Sequence, residues 1–209
     1  HWVVVDFAGF QSMVDAIGGV TVCLPHAIHD PIGHITLPAG RHTFTGMQAL
    51  NYVRERHDLG DGSDIGRMKR QQAFVASMVH QVFSTNTMTN PLHLYRFLEA
   101  ATKSIHLDEG LGSLAKLAGL GYEFRHVGLS KIKFVTTPWE LDPSNPNHLV
   151  WRPSAALLWK DLRLDKPLPK SLLAGSLNSR RIPGVTQHQT HAKGHSTATQ
   201  TNLANGLCA

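Results

Sequence analysis

The first 25 residues do most to restrict the fold. Trp2 to Asp6 (WVVVD) is a β-branched run, and Phe10, Met13, Val14 and Ile17 follow at helical spacing. Gly18 and Gly19 interrupt that spacing, and Val20 to Leu24 is a second apolar run closed by Pro25. Branched stretches favour strands, apolar residues three and four apart mark one helix face, and paired glycines end a helix. Strand, helix and strand with joints this tight form a βαβ unit, whose two strands are expected to lie parallel beneath the helix. The expected class is therefore α/β, an α/β/α layered domain around a central mixed sheet.

Residues 25–44 (PHAIHDPIGHITLPAGRHTF) have no sustained period and read as a loop carrying a short hairpin between Ile35 to Leu37 and His42 to Phe44. Thr45 and Gln48 have capping-box spacing and open a helix to about Arg54. The Gly- and Asp-rich stretch from His57 to Ser63 breaks it. Asp64 is expected to cap a longer helix to about Phe83, with Met68, Val75, Met78, Val79 and Val82 on one stripe.

Asn90 and Pro91 make a cap and first turn for a helix to about Lys103, and Leu111 to about Tyr122 reads as a weaker, glycine-interrupted one. Lys131 to Thr137 alternates as a strand, Leu149 to Arg152 is a short strand, and Pro153 starts a helix ending near Leu162. From Pro167 the chain turns to Pro, Ser, Thr, Gln, Asn and His without a buried face, so a domain over 1–166 and an irregular tail over 167–209 are expected. His188, His191 and His195 fall in that tail with no Cys or carboxylate nearby and read as solvated histidines rather than metal ligands.

A chain of 209 residues that is 42% hydrophobic can bury the core of one domain. Its net charge of +5 is uneven: residues 1–40 hold three acids and no Lys or Arg, whereas 152–209 hold eight basic and two acidic residues. A basic surface fits a polyanion, whether nucleic acid, anionic lipid or phosphate-bearing glycan, and sign alone does not choose. No run approaches the roughly 20 apolar residues that span a bilayer, and no signal-peptide pattern opens the chain. The start at His1, directly in a strand, is what a piece of a longer protein would show. Cys23 and Cys208 can form one disulfide that ties the terminus to the core if the protein is exported; in a cytosolic protein they would be two unrelated thiols.

The segment 52–72 (YVRERHDLGDGSDIGRMKRQQ) brings Arg54 and Arg56, from a helix end, close in sequence to Arg67, Arg70 and Gln71, from the next helix start. With Arg67 at zero on a helical wheel of about 100° per residue, Gln71 falls inside the apolar stripe and Arg67 at its margin. Arginines bordering a buried stripe require carboxylate partners or a bound anion, because an unpaired charge out of water is costly. Guanidinium forks match phosphate, and a helix N-terminus adds backbone donors for the same anion. A phosphate-handling site and a solvated, salt-bridged helix pair both fit these residues.

Three longer blocks, VVVDFAGFQSMVDAIGGVTVCLP, LPAGRHTFTGMQALNYVRERH and DIGRMKRQQAFV, together resemble the second half of the LytR-CpsA-Psr domain in its actinobacterial form. The resemblance is strong over residues 1–83 and weaker over 84–165. It implies an α/β/α fold with a lipid-binding groove, a membrane anchor upstream and a domain at the extracytoplasmic face of the cell membrane. It further implies transfer of a glycan from a polyprenyl pyrophosphate carrier to a peptidoglycan hydroxyl, with Mg2+ at the pyrophosphate.

Carried over by residue, Arg54, Arg56, Arg67, Arg70 and Gln71 would bind the pyrophosphate. Arg56, Arg67 and Asp64 would be catalytic, Asp64 by orienting Arg67 or by accepting a proton. The family's acidic metal-binding blocks precede His1, so no metal ligand is assigned within this chain. The alternative readings are a non-catalytic lipid- or wall-binding remnant, and a nucleic-acid-binding attenuator. Nucleic acid is not the expected partner, because 52–72 has only Tyr52 to interleave with its basic residues.

Overall fold

Asp6 ends the first strand and starts the first helix: its carboxylate accepts from the Gly9 amide at 2.7 Å, filling one of the donors a helix start leaves open. The computed structural model describes residues 2–84, 90–108, 116, 128–186 and 197–208, and the expected helix of 111–122 and the histidines 188, 191 and 195 lie outside them. The chain divides into two units, His1–Ile132 with Asn178–Ala209, and Lys133–Leu177.

The first unit opens with β1 (Val3–Val5), α1 (Phe7–Ala16) and β2 (Val20–Leu24), as its apolar spacing dictates. Gly18 and Gly19 end α1 at φ of 77° and 95°, a region few side chains tolerate, and the Gly19 amide bonds back to the Val14 carbonyl at 2.9 Å. The strands do not pair with each other in parallel as expected. β2 runs antiparallel to β5 (Gly40–Phe44), Val20 opposite Phe44, and β1 runs antiparallel to β6 (Ile105–Leu107), Val5 opposite Ile105. β6 reaches β1 because it leaves the end of α4 (Pro91–Ser104), and α4 lies against α1 so closely that a Cβ on Gly9 would fall 1.8 Å from that of Ser104.

Ile35–Leu37 also finds a different partner from the expected one. As β4 it pairs with β3 (Ile28–Asp30), while residues 42–44 belong to β5 and pair with β2. The α/β class holds; in the first unit the strands form three antiparallel ladders rather than one mixed sheet.

α2 (Gly46–Arg54) has the expected box, with the Gln48 side chain accepting from the Thr45 amide at 3.3 Å. α3 (Asp64–Ser84) is the longest helix, and Asn90 caps α4 by accepting from the Leu92 amide at 3.0 Å. The core gathers Val14, Ile17, Val20, Val22, Leu24, Phe44, Tyr52 and Phe74, with rings linked in sequence: Phe44 to Tyr52 at 5.2 Å, Tyr52 to Phe74 at 6.2 Å, and Phe74 to Phe10 at 5.6 Å.

The stretch beyond 167 has a buried face, contrary to expectation. Ile182, Leu207 and Cys208 are buried, α6 (Thr197–Ala204) places its Ala204 carbonyl on the Asp61 amide at 2.8 Å, and Cys208 is disulfide-bonded to Cys23 with Cα atoms 5.8 Å apart. A covalent tie and backbone bonds dock a composition too polar to announce a core.

In the second unit β7 (Lys133–Phe134) is all that remains of the expected strand over 131–137, because residues 129–131 turn as a 3-10 helix. β8 (Trp139–Asp142) pairs antiparallel with β9 (Asn145–Trp151), and α5 (Ser154–Arg163) buries Ala155 and Leu158. No described helix is long and apolar enough to cross a membrane.

Candidate functional site: an arginine corner and a carboxyl pair

The end of α2 sorts its charges by backbone geometry. Glu55 leaves the helix at φ −55°, ψ 134°, an extended conformation in which successive side chains point opposite ways. Arg54 and Arg56 therefore turn outward, while Glu55 turns inward and keeps 2% exposure. Arg54 lies over the ring of Phe7, its guanidinium carbon 5.0 Å from the centroid, a cation–π contact.

The connection to α3 is folded by its own polar groups. Gly60 and Gly62 take φ of 78° and 72°, and Asp61 accepts from Ser63 through both the hydroxyl at 2.6 Å and the amide at 2.9 Å. Burial tends to raise Asp61, but those two bonds together with its own backbone amide and the Arg70 charge outweigh it and leave its pKa below the usual value. Ser63, not Asp64, caps the helix: its hydroxyl oxygen accepts from the Gly66 amide at 3.0 Å.

Relieved of capping, Asp64 uses Oδ1 for two guanidinium groups, Arg56 Nη2 at 2.9 Å and Arg67 Nη2 at 3.0 Å. One carboxylate thus joins a cation just beyond the end of α2 to one in the first turns of α3. The group stays solvent-accessible, with side-chain exposures of 47% for Arg56, 64% for Asp64 and 31% for Arg67.

The wheel reading placed Gln71 inside and Arg67 at the margin; the structure turns α3 so that Arg70 takes the inner position. Arg70 is 1% exposed, while Gln71 is exposed and donates to the Val53 carbonyl at 3.0 Å. Arg70 donates to the carbonyls of Leu59 at 2.8 Å, Asn205 at 3.5 Å and Glu55, so its fork fastens the Gly-rich turn to both the helix end and the C-terminal segment. Burial lowers its pKa, and Tyr52, Glu55 and Asp61 oppose that. Of the residues singled out in sequence, Arg56, Asp64 and Arg67 converge, Gln71 braces α3 on α2, Arg54 stands on Phe7, and Arg70 is committed to the interior.

Beside Arg54 is a hollow of about 260 Å³ lined by Asp30, Ile32, Gly33, His34, Asn51, Arg54, Glu55 and His57. Asp30 Oδ1 accepts from the Ile32 amide at 2.8 Å, and Glu55 Oε1 accepts from the amides of Asp58 at 2.9 Å and His57. The second oxygens, Asp30 Oδ2 and Glu55 Oε2, are buried without a hydrogen-bond donor. They share a proton when one sits between them: Glu55 is raised by burial and by the Asp30 hydrogen bond, and Asp30 is lowered to about 2, chiefly by the bond with Glu55. His57 Nδ1 stands 3.7 Å from Asp30 Oδ2. Sequence reasoning missed this trio, although a His- and Asp-rich loop facing an Arg-Glu-Arg helix end was the available signal.

Mg2+ at a diphosphate, as the resemblance implies, does not fit the arginine corner. Among the described residues Asp64 is the carboxylate there, and both guanidinium groups already engage its Oδ1. That corner has no oxygen ligand set for Mg2+.

Comparison with known proteins gives the relationship directly. The LytR_cpsA_psr family model matches residues 1–161. The chain is 40% identical over 138 residues to the cell wall biosynthesis protein LcpA of Corynebacterium glutamicum, an alignment covering 66% of this chain and 26% of that protein. It is 33% identical over 121 residues to the probable cell wall biosynthesis protein LcpB of the same organism, covering 56% and 28%. A LytR-Csp2A-Psr enzyme from Actinomyces oris superposes with a TM-score of 0.62 at 26% identity, over 76% of this chain and 62% of that one. The chain thus spans about a quarter of the length of the curated relatives. With a model match over more than half its residues, this chain belongs to the LytR-CpsA-Psr family.

Proposed function

We propose that the chain is part of a transferase that moves a glycan from a polyprenyl pyrophosphate carrier to a peptidoglycan hydroxyl, at the extracytoplasmic face of the cell membrane. The observation that carries this is the single carboxylate oxygen of Asp64 holding Arg56 and Arg67 at 2.9 and 3.0 Å. Two guanidinium groups fixed around one anion leave a net positive, fork-shaped surface that can clamp phosphate oxygens without reorganising at the moment of reaction. Family membership and relatives named for cell wall biosynthesis support the choice of substrate. The Cys23–Cys208 disulfide supports an oxidising, extracytoplasmic compartment.

In this reading the acceptor hydroxyl oxygen bonds to the sugar-side phosphorus, the bond from that phosphorus to the bridging oxygen breaks, and polyprenyl phosphate leaves with the charge. Arg56 and Arg67 stabilise that charge, Asp64 orients them, and the hydroxyl proton passes to solvent. Arg54 and Gln71 border the phosphate position, and Arg70 acts from the interior as a positioning residue.

The test is Arg67→Ala in the full-length parent. Losing one charge-stabilising group should cut transfer by roughly 10²- to 10³-fold with an unchanged circular dichroism spectrum; undiminished transfer overturns the assignment. The second reading is binding of the lipid diphosphate without chemistry, favoured by Asp64, the carboxylate at the corner, being held by both guanidinium groups. Calorimetry of the full-length parent with a polyprenyl pyrophosphate, with and without Mg2+, separates the two, since a protein that only binds shows no metal dependence.

A further inference from the structure

We propose that Asp30 Oδ2, Glu55 Oε2 and His57 Nδ1 bind a divalent transition-metal ion of the Zn2+ or Mn2+ type, stapling the β3–β4 hairpin to the end of α2. The site goes beyond the transfer reading and stands whether or not the arginine corner handles phosphate.

Three observations lead to it. One ligand atom from each of the three residues lies within 4.8 Å of the others, a spread that one central ion can satisfy, and His57 Nδ1 is 3.7 Å from Asp30 Oδ2. Each carboxylate has its outer oxygen fixed by backbone amides, so the inner oxygens are held in place rather than free to turn away. Those inner oxygens have no partner beyond a proton shared between them, although their residues are only 3% and 2% exposed, and buried polar atoms are rarely left so.

The residue at 33 bears on the same two carboxyls. Gly33 borders both inner oxygens: an ideal Cβ there would sit 2.3 Å from Asp30 Oδ2 and 2.9 Å from Glu55 Oε2, so any side chain at 33 would displace the two carboxyls. Glycine at 33 lets the two inner oxygens keep their places.

Local charge agrees with a cation. Arg54, the arginine that lines the hollow, is drawn to the ring of Phe7, and His57 binds metal as a neutral ligand. Two carboxylates and an imidazole select an ion that accepts both oxygen and nitrogen, hence Zn2+ or Mn2+ over Ca2+ and Mg2+. The ion would replace the single proton that otherwise sits between two facing carboxyls, and a metal-free protonated pair is the rival description.

The experiment is isothermal titration of the chelator-treated, disulfide-intact chain with zinc, manganese, magnesium and calcium chlorides. The histidines at 188, 191 and 195 are first replaced by Ala, because the tail could otherwise take up zinc. One equivalent of Zn2+ or Mn2+ should bind with saturation and at least tenfold tighter than Mg2+ or Ca2+. Glu55→Gln should lower that affinity by roughly tenfold or more, as loss of metal-site groups does. If Glu55→Gln fails to fold, His57→Gln serves, since His57 is exposed; it should weaken Zn2+ while leaving the metal-free melting temperature unchanged. Gly33→Ala should abolish uptake. Absence of saturable binding, or affinities unchanged in Glu55→Gln, His57→Gln and Gly33→Ala, overturns the proposal in favour of the shared proton.

Discussion

Arg70 is a cation with almost no solvent, and its replacement is expected to unfasten the turn that shapes the arginine corner. Its guanidinium donates to the carbonyls of Leu59, Glu55 and Asn205, the last at 3.5 Å and weak, while Nε has no partner. Two good bonds from a charged donor contribute about 1.5–3 kcal/mol each. Set against them is the desolvation of a buried charge with an unpartnered Nε, itself several kcal/mol.

Arg70→Met removes charge and bonds together but keeps the apolar stem, so the penalty reduces to leaving the Leu59 and Glu55 carbonyls unpaired, a net cost of about 1–3 kcal/mol. Arg70→Ala also deletes buried methylenes at about 0.8 kcal/mol each, bringing the total to about 3–5 kcal/mol. Urea unfolding of the oxidised chain, followed by far-ultraviolet circular dichroism, is the suitable measurement. Tryptophan fluorescence is not, because three of the four tryptophans, Trp139, Trp151 and Trp159, lie in the second unit and the fourth, Trp2, is exposed. If both variants fall within about 0.5 kcal/mol of the parent, Arg70 does not hold the turn. If Met costs as much as Ala, the division between bonds and packing is wrong.

Reducing the disulfide, or Cys208→Ser, frees a 185-residue loop in the unfolded chain; by chain entropy this lowers stability by up to about 5 kcal/mol, read as the difference between urea midpoints with and without reductant. Gly9→Ala forces α1 and α4 apart, since its Cβ would meet Ser104 at 1.8 Å, and should cost about 1–3 kcal/mol in the same assay. Tyr52 is held neutral by burial, which raises its pKa from 10.0 to about 12. Its stabilising contribution is complete below pH 10 and is lost as pH rises through 12, at most about 3 kcal/mol, and Tyr52→Phe should flatten the stability profile over that window.

The elements that could be read in sequence are those with local causes. α1, α2 and α4 follow from apolar spacing and from caps within three residues, and Asp6, Gln48 and Asn90 perform those roles. Strand partners were not legible, because they depend on contacts far along the chain: Val20 meets Phe44, and Val5 meets Ile105 only because α4 is wedged against α1 through Gly9 and Ser104. The docking of 178–186 and 197–208 was hidden for a similar reason. A polar composition signals irregular chain, yet Cys208, the Ala204 carbonyl and Arg70's reach to Asn205 each fix a point on it.

The site divides in the same way. Arg56, Asp64 and Arg67 were legible because all three sit within a dozen residues on two helix ends, where spacing alone nearly determines who meets whom. The phase of α3 was not, because an apolar wheel assumes that the inner position goes to the greasiest residue. Here the inner position goes to the group that can satisfy otherwise unpaired carbonyls: the turn over 57–63 turns the Leu59 and Glu55 oxygens inward, and among nearby side chains a guanidinium reaches both at once. That requirement rotates Gln71 outward and leaves Arg67 free for Asp64. The same inward turn at residue 55 buries Glu55 against Asp30, so one extended residue at the end of α2 separates the two sites: guanidinium groups facing solvent, and a carboxyl pair facing the hairpin. A residue at 55 that remained helical would merge the two sets of charges and abolish both arrangements.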